Sequence, residues 1–300
     1  MREPARLIEQ AREGLVPPGS WDCHMHVFGP GDQFPPAVRG AYHPPVADRK
    51  RNAALLRDLG LAHAVLIQPS AYAEDHRALV DALSHARGTS LGIGSCGPAT
   101  TAADLVALKA QGIVGLRFVG VKGPGGNGYP GTQGLDVLRA LAPAMAAAGM
   151  QAHVWAEPVH NISLAREMGI IGVPLVLDHL SMLGPQDAGD TRRLDGVIDA
   201  LQRGNTWLKL TYFRRSALPG DYGDMQDIVS TLAAASPDRI LWASDWPFVR
   251  TAVIPDPRKL LRQLQGWLGD ERFAACLRAN PDALFGPHLT SRARPFTKKT

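Results

Sequence analysis

The stretch WDCHMHVFGP, residues 21–30, places His24 and His26 one residue apart at the end of an apolar run. On an extended segment that spacing puts both imidazoles on one face, where they can share a divalent ion, share a proton, or sit as a satisfied pair in a core. Taken alone, the motif leaves all three readings open. Further along, Gln68, Ser70, Arg117, Asp178, His179, Lys209, Thr211 and the run Ser244-Asp245-Trp246-Pro247 each fall in or at the end of a short apolar run. A buried polar group without a partner costs a few kcal/mol, so polar residues collected in this way point to one shared site.

Three imidazoles, His24, His26 and His179, with the carboxylate of Asp245 have the composition of a site for zinc or a similar divalent ion. Such an ion lowers the pKa of bound water or polarises a carbonyl, and a nearby carboxylate can take the proton. Hydrolysis is the reaction class that follows. The one G-x-S-x-G match, Gly88 to Gly92, leads into a β-rich run instead of lying at a strand-to-helix turn, and the chain has no P-loop and no second histidine pair. Serine nucleophile chemistry, nucleotide binding and a binuclear centre all lose ground.

The elements that must position these residues are legible as eight β-rich runs, 21–28, 63–70, 91–97, 112–120, 150–157, 174–181, 205–212 and 239–247. Helical patterns lie between them, among others at 51–60, 75–86, 101–112 and 135–149; the third opens on Thr101 three residues before Asp104 and stops at Gly112. Strand–helix alternation repeated eight times predicts a parallel sheet closed into a (β/α)8 TIM barrel. An open doubly wound sheet is the alternative, but no GxGxxG follows the first strand. Alternation along strand 1 predicts Asp22, His24 and His26 facing the barrel axis, with Trp21, Cys23 and Met25 on the other face. The long Gly- and Pro-rich connections 29–48 and 121–133 are expected to rim a pocket at the carboxyl ends of the strands.

The formal charge of +4 comes from Arg292, Arg294, Lys298 and Lys299 in the last ten residues, so the body of the chain is neutral and no nucleic-acid surface is indicated. We read residues 1–19 as an N-terminal extension, 20–287 as the barrel and 288–300 as a basic tail. Cys23, Cys96 and Cys276 form no CxxC pair, the N-terminus has no apolar core of a signal peptide, and no run reaches membrane-spanning length. A cytoplasmic protein without a membrane partner is the expectation, with homo-oligomerisation left open.

WDCHMHVFGP, VLDHLS, NTWLKLT, RILWASDWP and NPDALFG, in that order over residues 20–286, resemble the amidohydrolase-related barrels, in particular their lactonase branch of pyrone-dicarboxylate, sulfomuconolactone and sugar-lactone enzymes. The resemblance implies an enzyme that opens the lactone ring of an organic acid, in the degradation of an aromatic compound or a sugar acid. It also implies Asp245 as the base that activates water or shuttles a proton, and His24, His26 and His179 as the groups that polarise the carbonyl, directly or through a metal. Ser70, Tyr42, Arg117 and Arg215, or Arg214 by a slip of one residue, match substrate contacts, and the substrate implied is a small anionic lactone. Trp155 stands where the pyrone-dicarboxylate pattern has a tyrosine and fully metal-liganded members have a histidine, so zinc is one option and metal-independent catalysis the other. Two further arginines of that pattern are replaced by Gly123 and Met182. A metal-independent sugar-acid lactone isomerase is the nearest competing reading.

Overall fold

The structure, a computed structural model, describes residues 14–38, 42–123, 125–188 and 191–292. Eight parallel strands lie in sequence order in one sheet: β1 Trp21–Met25, β2 His63–Ile67, β3 Ser90–Gly94, β4 Ile113–Val119, β5 Gln151–Trp155, β6 Leu175–Leu177, β7 Thr206–Leu210 and β8 Ile240–Trp242. The ends of β8 and β1 meet: Asp245 N–H donates to His24 O at 2.8 Å and His26 N–H to Trp246 O at 2.8 Å. The fold is the expected (β/α)8 barrel. A helix follows each strand, α1 Arg49–Leu59, α2 Arg77–His85, α3 Ala102–Ala110, α4 Leu135–Ala148, α5 Pro158–Ile171, α6 Thr191–Gln202, α7 Gln226–Ala235 and α8 Pro257–Ala274, and α9 Asn280–Arg292 comes last. The α3 capping box forms, with Thr101 and Asp104 satisfying each other's backbone N–H groups.

Alternation sorts the strand residues. Ala64, Leu66, Leu116, Phe118, Leu208 and Leu210 face outward onto the helices. Val65, Ile67, Leu91, Ile93, Val176, Trp207 and Leu241 fill the barrel interior, where Phe285 from α9 joins them. Trp21 packs on Phe285 at 5.6 Å and donates Nε1–H to Asp282 Oδ1 at 2.8 Å, so α9 closes the floor. That helix runs through residue 292, and the segment read as a basic tail from residue 288 therefore begins as helix. Residues 1–13 and 293–300 of the expected extension and tail lie outside the described residues.

The facing predicted for β1 is corrected. Trp21 and Cys23 belong to the interior cluster. The pairing Trp21↔His63, Asp22↔Ala64, Met25↔Leu66 spends three steps on β1 against two on β2, and one extra residue reverses the alternation beyond it. His24 and His26 therefore still face inward while Met25 joins the outer core. Asp22 serves the backbone instead: its Oδ1 accepts N–H bonds from His24 at 3.1 Å and Ser244 at 3.0 Å, which ties β1 to the end of β8.

The ladders also stop short of the predicted runs. Past β6 the backbone turns left-handed at His179, Leu180, Ser181 and Met182, with φ between 52° and 62°, and past β8 Asp245 has φ 54°. These conformations are uncommon for residues other than glycine and take the chain out of the sheet where its side chains must converge.

Candidate active site

A fully buried charged layer lies between the apolar floor and the mouth of the barrel. Lys209 Nζ is 2.9 Å from Asp178 Oδ1, 2.8 Å from His153 Nδ1 and 3.1 Å from His24 Nδ1. Asp178 also accepts the Arg117 Nε–H at 3.0 Å through Oδ2 and lies 3.3 Å from His24 Nδ1. Burial pushes the Asp178 carboxyl up, but the Lys209 and Arg117 charges together hold it well below the usual carboxylate range. Burial and the Lys209 charge hold His24 well below the usual imidazole range, so that ring is neutral.

Above this layer, Asp245 is held by Arg214, whose Nε–H donates to Oδ2 at 2.6 Å and whose Nη1–H donates to Val249 O at 2.7 Å. Asp245 Oδ1 is 3.2 Å from His26 Nε2 and 3.5 Å from His24 Nε2, and those two nitrogens are 3.2 Å apart. Burial raises the Asp245 carboxyl, yet the Arg214 guanidinium outweighs it and holds Asp245 well below its usual range. It is a carboxylate at neutral pH. His179 faces Thr211 Oγ1 through Nδ1 at 2.8 Å, and burial pushes its pKa down to about 4, so it too is neutral.

The four expected metal ligands do not form one set. His24, His26 and Asp245 form one group, and His24, Asp178 and His179 another, each with ligand atoms within 4.8 Å of one another. In spacing the first group suits zinc: ligand atoms about 2.0–2.2 Å from a tetrahedral ion lie roughly 3.3–3.5 Å apart. His26 also has the support a ligand histidine needs, its Nδ1–H donating to Ile67 O at 2.9 Å. His24 differs, because its Nδ1 faces the Lys209 ammonium more closely than the Asp178 carboxylate.

A cavity of about 210 Å³ opens above Asp245. Its wall includes His26, His179 and Asp245 and every substrate contact expected from the sequence: Tyr42, Ser70, Arg117, Trp155, Arg214 and Arg215. His24 does not reach this wall and sits beneath it, 0% exposed. Arg214 and Arg215 both reach the cavity, but Arg214 is committed to Asp245, while among the described residues Arg215 gives only Nε–H to Leu183 O at 3.3 Å. Arg117 stacks on Trp155 with Cζ 5.7 Å from the ring centroid, which places that ring as a wall rather than a ligand. Trp246 packs against the clusters that hold Met25 and Phe28.

Residues not anticipated from the motifs also line the cavity: Tyr129 and Thr132 from the 121–133 connection, and Val249 and Arg250 after β8. Arg250 Nη1–H donates to the Tyr129 hydroxyl, joining the two loops. For Tyr129 and Thr132 the clue was their position in a long loop predicted as a rim, which says that the loop contributes but not which residue. Gly131 seats the first of these loops, since a Cβ there would lie 1.9 Å from Ser70 O. Met182 lines the cavity and accepts Trp155 Nε1–H at 3.0 Å, whereas Gly123 lies in a turn, donating N–H to Asn127 O at 2.8 Å. Asp178 and Lys209, ambiguous in the sequence, prove to be the buried pair under the site.

Comparison with known proteins agrees with this architecture. A 4-sulfomuconolactone hydrolase of Hydrogenophaga intermedia is 28% identical over 277 residues, 91% of this chain and 90% of its own. A D-galactarolactone isomerase of Agrobacterium fabrum is 28% identical over 292 residues, 93% of this chain and 95% of its own. A crystal structure from Agrobacterium tumefaciens superposes with a TM-score of 0.77 at 25% identity, covering 90% of this chain and 97% of that one. The family model for amidohydrolases matches residues 21–286, which is nearly the whole barrel, and the chain belongs to the amidohydrolase family.

Proposed function

We propose that this enzyme hydrolyses the lactone ring of a small organic acid. The observation that carries the reading is the cavity wall, in which Asp245 is the one acid among the described residues and stands with Arg117, Arg214, Arg215 and Arg250. Four guanidinium groups around one carboxylate favour an anionic substrate, and the volume of about 210 Å³ suits a small monocyclic acid. The sulfomuconolactone hydrolase relative supports ring opening as the reaction.

In this mechanism Asp245 takes a proton from water, and the hydroxide formed attacks the lactone carbonyl carbon. His179 and Arg117 stabilise the oxyanion, the ring C–O bond breaks, and the leaving oxygen recovers the proton. His24, at 3.5 Å from Asp245, acts on that carboxylate from below rather than touching substrate. A carboxylate held so low is a weak base, and the substrate's own anionic group strengthens it by drawing Arg214 away. His24, His26 and Asp245 have the spacing of a zinc site, but His24 Nδ1 faces the Lys209 ammonium, and no step of this mechanism passes through a metal.

The pyrone-dicarboxylate pattern is not reproduced at the anion-binding positions. Met182 offers no charge, and at Gly123 a Cβ would come 3.2 Å from Gly128 O. Arg250 brings a guanidinium from a different loop, so the second anionic or polar group of the substrate sits toward Tyr129.

Isomerisation is the second reading, favoured by the isomerase relative that covers as much of the chain. A panel of pyrone dicarboxylate, muconolactones with and without a sulfonate, and aldaro- and aldonolactones separates the two. With chelator present and absent, it should be followed by acid release and proton NMR. Acid release on one class establishes hydrolysis; ring migration without acid release makes the enzyme an isomerase, and no reaction across the panel refutes both.

A further inference from the structure

We propose that Lys209 is a positioning residue that holds His24 as an Nε2–H donor and so keeps the His24–His26–Asp245 cluster from becoming a metal centre. The proposal rests on His24 belonging to the active site and on nothing about the substrate. Lys209 is 0% exposed, and its ammonium has three N–H donors and no acceptor. Its partners are Asp178 Oδ1 at 2.9 Å, His153 Nδ1 at 2.8 Å and His24 Nδ1 at 3.1 Å, one for each hydrogen. Both imidazoles must therefore accept at Nδ1 and carry their own proton on Nε2.

His153 provides an independent check. Gln151 gives its amide N–H to Leu284 O at 3.2 Å, which turns its Oε1 toward His153 Nε2 at 3.2 Å. An amide oxygen only accepts, so the proton of His153 is on Nε2 and Nδ1 is the acceptor, as Lys209 requires.

The same assignment places the His24 proton on Nε2, 3.2 Å from His26 Nε2 and 3.5 Å from Asp245 Oδ1. His26 spends its Nδ1–H on Ile67 O at 2.9 Å, so its Nε2 accepts. One imidazole proton thus occupies the place among three ligand atoms where a cation would go. For His24 to become a ligand, that proton must move to Nδ1, directly against the Lys209 ammonium. Without the ammonium, Asp178 Oδ1 at 3.3 Å would accept an Nδ1–H, the usual support of a ligand histidine. Asp178 is ready to support a metal site, and Lys209 prevents it.

Long-range proton–nitrogen correlation spectra of the substrate-free protein test the assignment directly, with His24→Gln identifying the signals. The expected spectrum shows His24 as the Nε2–H tautomer. Equilibrium dialysis against zinc then compares the wild type with Lys209→Met, and the variant should bind one zinc per chain about 10-fold or more tightly, the scale on which groups behind a ligand act. An Nδ1–H tautomer for wild-type His24, or equal zinc affinities in the two proteins, overturns the proposal. Should Lys209→Met fail to fold, the wild-type spectrum alone decides. Neither readout uses a lactone, so both stand apart from the outcome of the substrate panel.

Discussion

The floor and the mouth of the barrel interior are built by the same strands only a few residues apart. On β7, Trp207 belongs to the floor and Lys209 to the charged layer, and on β4 Val114 and Arg117 divide in the same way. The floor is held by volume alone: Ile93, Val176, Leu241 and Phe285 fill it, and any apolar set of similar shape would serve. The charged layer is held by counting, since each donor of Lys209 has an acceptor and Asp178 spends both oxygens. A loss in the floor should therefore weaken folding alone, whereas a loss in the mouth should act on chemistry, on stability, or on both.

The sharpest separation of the two regions is Asp245→Asn. Removing the proposed base should lower kcat about 10³–10⁴-fold while changing stability far less, read by turnover on the substrate found in the panel and by chemical denaturation of the same sample. Asp178→Ala should do both, leaving Lys209 and Arg117 as uncompensated charges at a cost of about 3–5 kcal/mol. A stable Asp178→Ala protein would break the idea that this layer is held by pairing. In the floor, Leu241→Ala should cost roughly 2–4 kcal/mol of stability and leave KM of the folded enzyme unchanged; a change in KM would show that the two layers are coupled.

Asp22 gives the comparison a pH axis. Burial raises its carboxyl from 3.8 to about 7 against the opposing bonds from Ser244 and His24, and its Oδ2 has no partner among the described residues. The folded form holds this proton more tightly than the unfolded chain does. Its stabilising effect is therefore complete at low pH and is lost as pH rises through about 7, at roughly 1.4 kcal/mol per pH unit within that window. Denaturation midpoints at about pH 5 and about pH 7 should differ accordingly, and Asp22→Asn should remove most of the slope. The smallest effect expected is at the rim, where Arg215→Gln should raise KM for an anionic lactone about tenfold, with a smaller change in kcat. Equal loss on a neutral lactone would show that Arg215 shapes the pocket without reading charge.

Much of this design is legible in the sequence alone. Short apolar runs alternating with capped helical patterns report the barrel because burying both faces of a parallel sheet demands that pattern. His24, His26, His179 and Asp245 stood out because chemistry-bearing side chains on a barrel collect where strands end. Lys209 could be seen but not interpreted, since an ion pair is defined by a partner 31 positions away in sequence. Tyr129 and Arg250 were hidden for another reason: loop residues follow no period, and their meeting depends on how two long loops lie over the mouth.

Local patterning along the chain thus determined the fold, the end of the barrel that would react and most of the groups able to do so, because periodicity and residue type are properties of the sequence itself. Only tertiary structure decided which way those groups point and what each proton faces. One extra residue in β1 reversed its alternation, four left-handed residues after β6 turned Asp178 and His179 to separate partners, and a buried ammonium met the back of His24. Contacts at a few ångströms between residues far apart in sequence set the tautomer, the charge and the choice between ligand and proton donor, and no local pattern encodes them.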